Sequence, residues 1–489
     1  MQKLNAKKIK ELIGDAAEFK RHFAGDWSMN MAYYMGEQNT KYSVASNQLI
    51  RMSSTRGEAY VMNVVHPTVQ TVSAKITAPN PVIKVIPKTA NSSDIYAAKI
   101  GEFVAQSELW DNFNMQIELQ KFIPTMATCG SIGMHVYFNP KAGRYYTAEE
   151  LNKMAQEAGD KETVFQEGSH EGRIEFDLVT PFELNASQFA LSDIDAEWMS
   201  ISKLRSIDWV YEMYGKKVKP SKNIKISEIY SSFNSSVIGK NYQENDGEQV
   251  LVHLLYLRKC KEYPLGGVWV CTEEEDMLYD NEEGKLPYGL EKTDTIPIVK
   301  IDYETMQNRF WGIPPITSVR PMQRTVNMIW SMYMAHCKTY AYSTVLNPLG
   351  NSLTKEKYDP TRPGNWMDYV LQAGDANGGS PHFMQPPPFN PQILDAMALA
   401  RRHIEDVFGV HEISRASAPA GVKTGRALSI LDAADDTKIH PVVMQIENGV
   451  SRICQVGLQI IESTYTIPRI IKMVGKSNAQ MVWSFKGDK

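Results

Sequence analysis

The chain has 489 residues, enough for about three structural units and a large buried core. Hydrophobic residues make up 43% and charged residues 22%, values of an ordinary globular protein rather than a disordered one. Lys plus Arg is 52 against 56 Asp plus Glu, a formal charge of −4 that argues against a protein built to grip nucleic acid tightly.

Five cysteines, Cys129, Cys260, Cys271, Cys337 and Cys454, lie far apart without a CxxC pair, which points to a reducing compartment rather than a disulfide framework. No apolar h-region follows Met1 and no apolar run reaches a membrane span, so a soluble, intracellular product is expected.

Residues 1–60 read as helical, with Ile9, Leu12, Ile13, Ala16 and Phe19 at helical spacing and an aromatic cluster of Trp27, Tyr33 and Tyr34. Val82–Ile86 then reads as a short strand between Pro81 and Pro87, and Asp94 as the cap of a helix carrying Ile95, Ile100, Phe103, Val104 and Leu109. Met134–Phe138 and Arg173–Leu178 are strand-like, which makes this part mixed α+β. Strand-like runs at 250–257, 268–272 and 296–301, separated by polar turns, predict a β-rich meander over 250–302.

After Pro314-Pro315, the residues Val319, Met322, Val326, Ile329, Tyr333, Cys337 and Tyr340 recur at steps of three and four. They predict a one-sided helix of about 28 residues, roughly 40 Å long. Residues 344–389 hold seven Pro and five Gly, a density that predicts turns rather than another helix, with Trp366, Tyr369, Val370 and Leu371 as a small core. Asn390-Pro391 supplies a cap and a first-turn proline for a second helix to about 410, with Ile393, Met397, Ile404 and Phe408 inward and Gly409 near its end. A polar loop, 414–425, precedes a helix that begins at Arg426, is expected to bend or break before Pro441, and resumes to about Thr464. Strands at 469–474 and 480–485 close the chain.

Signals for chemistry are weak. Gly421-Val422-Lys423-Thr424-Gly425 lacks the first glycine of a phosphate-binding loop, and Gly130-Ser131-Ile132-Gly133 is too short for a dinucleotide fingerprint, so tight packing beside a strand is expected there. The ten histidines form no metal-ligand spacing, and His403 with His411 has no third ligand. Glu273-Glu274-Glu275-Asp276 fails the calcium-loop order and reads as a solvated turn. Asp432, Asp435 and Asp436 fit either Mg²⁺ or basic residues of a neighbouring subunit. No nucleophile motif is present, no metal or other cofactor is implied, and an enzyme is not expected. What remains is the 414–425 loop, where Arg415 and Lys423, with Arg426 beside them, form three positives among small residues that can offer cations to a phosphate backbone without reading bases.

The order of these elements resembles the portal proteins of tailed bacteriophages, in particular the head-to-tail connectors of the short-tailed branch. The resemblance rests on Trp27 with Tyr34-Met35-Gly36-Glu37-Gln38, on Asn63-Val64-Val65-His66-Pro67 and on Ala78-Pro79-Asn80-Pro81. It rests most on Phe310-Trp311-Gly312-Ile313-Pro314-Pro315 leading to Pro321-Met322-Gln323 and Asn327, and on Phe408-Gly409-Val410 and Thr424-Gly425-Arg426-Ala427-Leu428. Residues 179–182 and 198–214 fit the family's wing.

By this resemblance the fold is an α+β portal fold. It has a wing (1–312), a two-helix stem (313–343 and 390–413), a small clip (344–389), a tunnel loop (414–425) and a post-loop segment (426–489) that returns to the wing. A crown is short or absent. The stem core would comprise Met322, Val326, Ile329, Tyr333, Ile393, Met397, Ile404 and Phe408. Arg415, Lys423, Thr424 and Arg426 would face a DNA channel, and Lys355, Lys357, Arg362 and Trp366 would meet partners at the clip.

The resemblance implies a dodecameric ring at one capsid vertex through which double-stranded DNA passes during packaging and ejection. It implies docking of the terminase large subunit and then head-tail adaptor or tail proteins, contact with major capsid protein, and scaffolding protein as a further candidate. Assembly in the host cytoplasm and residence in the virion follow. The alternatives are a nucleic-acid-processing or packaging enzyme, or another ring-forming connector.

Overall fold

A computed structural model describes residues 4–43, 48–52, 59–78, 83–87, 89–157, 166–221, 249–340, 344–350, 366–370, 380–384, 388–410, 425–465, 469–474 and 480–485. It is 46% helix and 21% strand, a mixed α+β chain.

Helix α1 (Ala6–Met35) starts where the Asn5 side chain accepts the Lys8 N–H at 2.9 Å, and stops at Gly36 in the left-handed region. Its buried side bridges two cores. Ile9, Ile13 and Ala16 pack with Trp198, Leu255 and Trp269, whereas Ala24, Trp27 and Tyr33 join the main core. The helical reading of residues 1–60 is corrected beyond Met35, because β1 (Thr40–Ser43) and β2 (Gln48–Arg51) form an antiparallel hairpin there.

Helix α2 (Val65–Thr77) follows. Residues 83–86 form no strand, since among the described residues no ladder partner reaches them and Ile86 is 88% exposed. Helix α3 (Ser92–Val104) takes Asn91 rather than Asp94 as its cap position, with Asp94 in the first turn, and runs through a π turn (Ala105–Asp111) towards α4 (Met115–Cys129).

Two sheets form the body. Strands β3 (Ser131–Asn139), β6 (Arg173–Val179) and β12 (Ile298–Asp302) make a three-stranded sheet with β3 central. Between β3 and β6 lie the short pair β4 (Tyr145–Tyr146) and β5 (Ser169–His170), and helix α5 (Ala148–Glu157). Strands β7 (Leu184–Ala186), β8 (Trp198–Ser206), β9 (Gln249–Leu257), β10 (Gly267–Thr272) and β11 (Met277–Asp280) form an antiparallel sheet, order β11-β10-β9-β8-β7, with α6 (Ile207–Tyr214) after β8. The meander expected over 250–302 is therefore only β9 to β11. Strand β12 leaves it to pair with β3, where Ile298, Val299 and Ile301 enter the main core.

Helix α7 (Pro315–Tyr340) leads into a sheet of β13 (Thr344–Pro348), β14 (Trp366–Tyr369) and β15 (His382–Met384), and helix α8 (Pro391–Phe408) returns from it. Strand β13 is central, parallel to β14 and antiparallel to β15. Helix α9 (Gly425–Thr464) continues unbroken through Pro441, against the expected break. Val442, Ile446, Val450, Ile453 and Ile460 seat it in the main core, and that tertiary burial outweighs the local cost of a proline, about 3 kcal/mol. Strands β16 (Arg469–Val474) and β17 (Gln480–Phe485) pair antiparallel.

Candidate functional site: a rooted helical hairpin with a stranded tip

The most distinctive assembly in the chain is the antiparallel pair α7 and α8, joined at one end by the β13–β15 sheet and rooted at the other in the body. A helix of 26 residues extends about 39 Å, so where its tip comes to lie depends on the direction its root sets.

The root is built from Phe310 to Pro315. Gly130 caps α4 with φ at +84°, and a Cβ there would lie 2.2 Å from the Gly312 carbonyl oxygen. Only glycine allows that approach, which bears out the tight packing expected at Gly130. Beside it Ser131 Oγ donates to Asp302 Oδ1 at 2.6 Å and accepts the Gly312 N–H at 2.9 Å. The buried Lys300 ammonium pairs with Asp302 and donates to the Phe310 carbonyl. Trp311 meets Trp27 edge to face at 5.1 Å, and Trp27 meets Phe182 at 5.5 Å. These rings and charge-assisted bonds set the angle at which α7 leaves the body.

Along α7, a row of polar side chains holds the segment 60–64. The N–H groups of Tyr60, Met62 and Val64 donate to Ser331 Oγ at 3.0 Å, Asn327 Oδ1 at 3.0 Å and Gln323 Oε1 at 3.1 Å. Gln323 returns a bond to the Met62 carbonyl at 2.7 Å, and Asn327 Nδ2 donates to Gln38. The two periods match physically: four helical residues advance about 6 Å, close to the roughly 6.6 Å of two extended residues. Gln38, Asn63, Gln323 and Asn327, scattered through the motifs quoted above, thus form one network with the helix.

Of the predicted hairpin core, Val326, Ile329, Ile404 and Phe408 are buried, and Tyr333, Ile393 and Met397 are half-buried. Met322 is corrected: it is 39% exposed, and its neighbour Gln323 takes the inward position because its amide satisfies backbone groups. Farther out, Phe389 meets Tyr333 and His336, both at 5.3 Å. The Asn390 side chain accepts the Gln392 N–H at 3.0 Å, and Gly409 ends α8 in the left-handed region, as the sequence predicts.

At the tip, Val345 is buried and lies in register with Trp366 and Phe383. Trp366 is half-buried and donates from Nε1 to Asp368 Oδ1 at 2.8 Å, an acceptor shared with Asn347. Val370, expected in a small core, is 70% exposed; Val345 supplies that core instead. Lys355, Lys357 and Arg362, and likewise Arg415, Lys423 and Thr424, lie outside the described residues, as do Leu371 and His411. Arg426 is the second residue of α9.

A second polar chain joins residues with no local pattern in the sequence. Ser202 Oγ lies 2.8 Å from His253 Nδ1, and His253 Nε2 lies 3.0 Å from Glu273 Oε2, a serine–histidine–carboxylate order. Ser202 and His253 are buried at 4% and 0% exposure, and Asn185 also donates to Ser202, so no reagent reaches the hydroxyl. Glu273, expected in a solvated turn, is buried and also pairs with Lys10; only residues 274–276 of that run are exposed.

The chain continues from Asn185 to Lys20, whose Nζ donates to Phe182 O, Leu184 O and Asn185 Oδ1 at 2.7–2.9 Å. Burial pushes this lysine from 10.5 to about 7, against the pull of Glu183. The unfolded chain then holds this proton up to about 10.5 and the folded chain only to about 7, so its contribution to stability rises with pH between those values. The free energy of unfolding of Lys20→Met should lack that rise, measured by urea titration from pH 7 to 9.5; parallel profiles for the two proteins would contradict the assignment.

Among the described residues, no group of three or more His, Cys, Asp or Glu is placed to hold a metal ion, and no helix is long and apolar enough to cross a membrane. The five cysteines carry free thiols.

A family model described as phage P22-like portal protein matches residues 31–484. No curated protein matches the chain. Among solved structures, a chain of the "Virion of native gene transfer agent (GTA) particle" is 11% identical, with 81% of this chain and 78% of that chain covered and a TM-score of 0.38. A chain of the "Neck of empty GTA particle computed with C6 symmetry" is 10% identical, with coverage of 88% and 81% and a TM-score of 0.40.

Proposed function

Because this chain belongs to the phage P22-like portal protein family, a family of structural connectors and not of enzymes, we propose that it forms the DNA channel of a phage-like particle. Twelve copies form a ring at one capsid vertex, the genome enters and leaves through its centre, and the ring is the platform first for the terminase large subunit and then for head-tail adaptor or tail proteins. ATP hydrolysis belongs to the terminase.

In this reading α7 and α8 are the stem, the β13–β15 sheet is the clip, the segment 414–425 is the tunnel loop, and the two-sheet body with β16 and β17 is the wing that contacts major capsid and scaffolding proteins. The observation that carries it is the hairpin itself, a long rod rooted through buried glycines and a polar network so that its tip projects in a fixed direction. A mildly acidic chain supports passage of DNA, since phosphate is repelled from the wall and a few cations provide only weak, salt-screened contacts.

The cations assigned to that task are Arg415, Lys423 and Arg426, with Thr424 beside them. Lys423→Glu reverses charge at every loop around the ring. It is expected to leave particle mass unchanged and to cut the yield of DNA-filled heads sharply, counted by electron microscopy of assembled particles. A normal yield of filled heads would remove Lys423 from the channel.

A further inference from the structure

Resting on the ring reading above, we propose that neighbouring copies meet through a seam in which the methionine face of α7 packs against the aliphatic face of α8 from the next copy. Each helix of the hairpin carries two apolar faces, which marks a helix that packs on two sides. Helix α7 turns Val319, Gln323, Val326 and Asn327 inward. The opposite arc presents Thr325, Met328, Met332 and Ala335, with Met328 58% and Met332 49% exposed. Helix α8 turns Ala400, Ile404 and Phe408 inward and presents Ala396, Leu399, His403 and Val407 outward, with Leu399 57% and Val407 51% exposed. Both outward rows advance by three and four residues, the spacing of helices that pack side by side at a shallow angle. Methionine suits such a seam, because its unbranched side chain adapts to the partner's surface.

Charge identifies the occupant. Helix α7 contains Arg320, Arg324 and Lys338 and no Asp or Glu, whereas α8 contains Asp395, Glu405 and Asp406 against Arg401 and Arg402. At 100° per residue, the three cations of α7 fall on one flank of its methionine row, with Arg320 also paired to Asp26, Arg324 bonded to Tyr33 and Lys338 over the Tyr60 ring, and Asp395 and Asp406 fall with Arg402 on one flank of the Leu399 row, a net negative edge. A two-fold contact of α7 with α7 would bring cations together. The contact of α7 with α8 brings opposite signs together, and both complementary faces belong to the same chain. That contact is head to tail and therefore continues from copy to copy until a ring closes.

The test mixes two populations of the full chain, Met328→Cys and Ala396→Cys, each also carrying Cys260→Ser and Cys337→Ser, assembles them and treats them with a short bis-maleimide. Cross-linked dimers are expected in the mixture and not in either population alone. Assembled rings without cross-linked dimers would overturn the seam and leave the ring reading standing, whereas a wild-type chain that forms no ring would overturn both. As a second measurement, Leu399→Glu should lower ring yield at least tenfold with the unfolding midpoint of the single chain unchanged; full ring yield from that variant would also overturn the seam.

Discussion

Gly130→Ala is expected to destabilise the chain by about 2–5 kcal/mol, the sum of a left-handed conformation forced on a Cβ and of packing that Cβ against backbone. The nearest atoms are the Gly312 carbonyl oxygen at 2.2 Å and its carbon at 2.6 Å, and no flexible side chain is available to yield. The same contact read from the other side places a Gly312 Cβ 2.3 Å from the Gly130 carbonyl oxygen. Either substitution must push the start of α7 away from the end of α4, which disturbs the bonds of Ser131 to Asp302 and Gly312 and turns the hairpin from its direction. The urea midpoint is the measurement. Gly14→Ala is the control: nothing lies within 4 Å of its Cβ in the middle of α1, so that variant should be neutral or gain about 0.5–1 kcal/mol. Equal midpoints for Gly130→Ala and Gly14→Ala would contradict the packing described at the root.

Asn327→Leu is expected to cost about 2–6 kcal/mol. Leucine has a similar volume, so the loss comes from groups left without partners: the Met62 N–H and the Gln38 carbonyl oxygen lose their bonds, and Gln323 Nε2 loses one of two acceptors. Each such buried group costs about 1–3 kcal/mol. Hydrogen exchange distinguishes this from general destabilisation, because the Met62 amide should exchange faster than in the wild type under conditions where the amides of β3 keep their protection. Unchanged exchange at Met62 would show that the segment 60–64 does not depend on α7.

The two long helices were legible because each carries its own boundary signals: Pro314-Pro315 before α7, and Asn390-Pro391 and Gly409 around α8. Strands β16 and β17 were legible as short runs of strand-forming apolar residues. Where reading failed, the deciding interaction was distant in sequence. Residues 83–86 carry β-branched residues as a strand does, but among the described residues no neighbour supplies a ladder. Strand β12 follows β11 in sequence and yet pairs with β3, some 160 residues earlier, a register that hydropathy does not encode. Pro441 breaks an isolated helix, but Val442, Ile446 and Val450 after it are held in the core and Ile439 before it is buried.

The candidate site shows the same division. Helical phase alone put Met322 in the hairpin core, whereas the structure gives that place to Gln323. A polar residue at an apolar phase was the available signal, since Gln323, Asn327 and Ser331 recur at steps of four along a helix that has to face the body. The buried Lys20 and the clamp of Arg452 on Asp193, with Asp193 Oδ2 also accepting the Lys300 N–H at 2.8 Å, join residues far apart in the chain and leave no local pattern to read. The quoted Phe310–Pro315 motif is explained by its work at the root: aromatic rings against Trp27, a glycine against Gly130, and prolines to start the helix.

The central claim is that this chain closes into a ring around a channel, and the mass and symmetry of the purified particle test it most directly. Native mass spectrometry with class averages from electron micrographs should give twelve copies of the 55.2 kDa chain, about 660 kDa, around an axial hole of roughly 20 Å, wide enough for duplex DNA. A particle that stays a monomer or a two-fold dimer at every concentration, including in the presence of scaffolding protein, would contradict it.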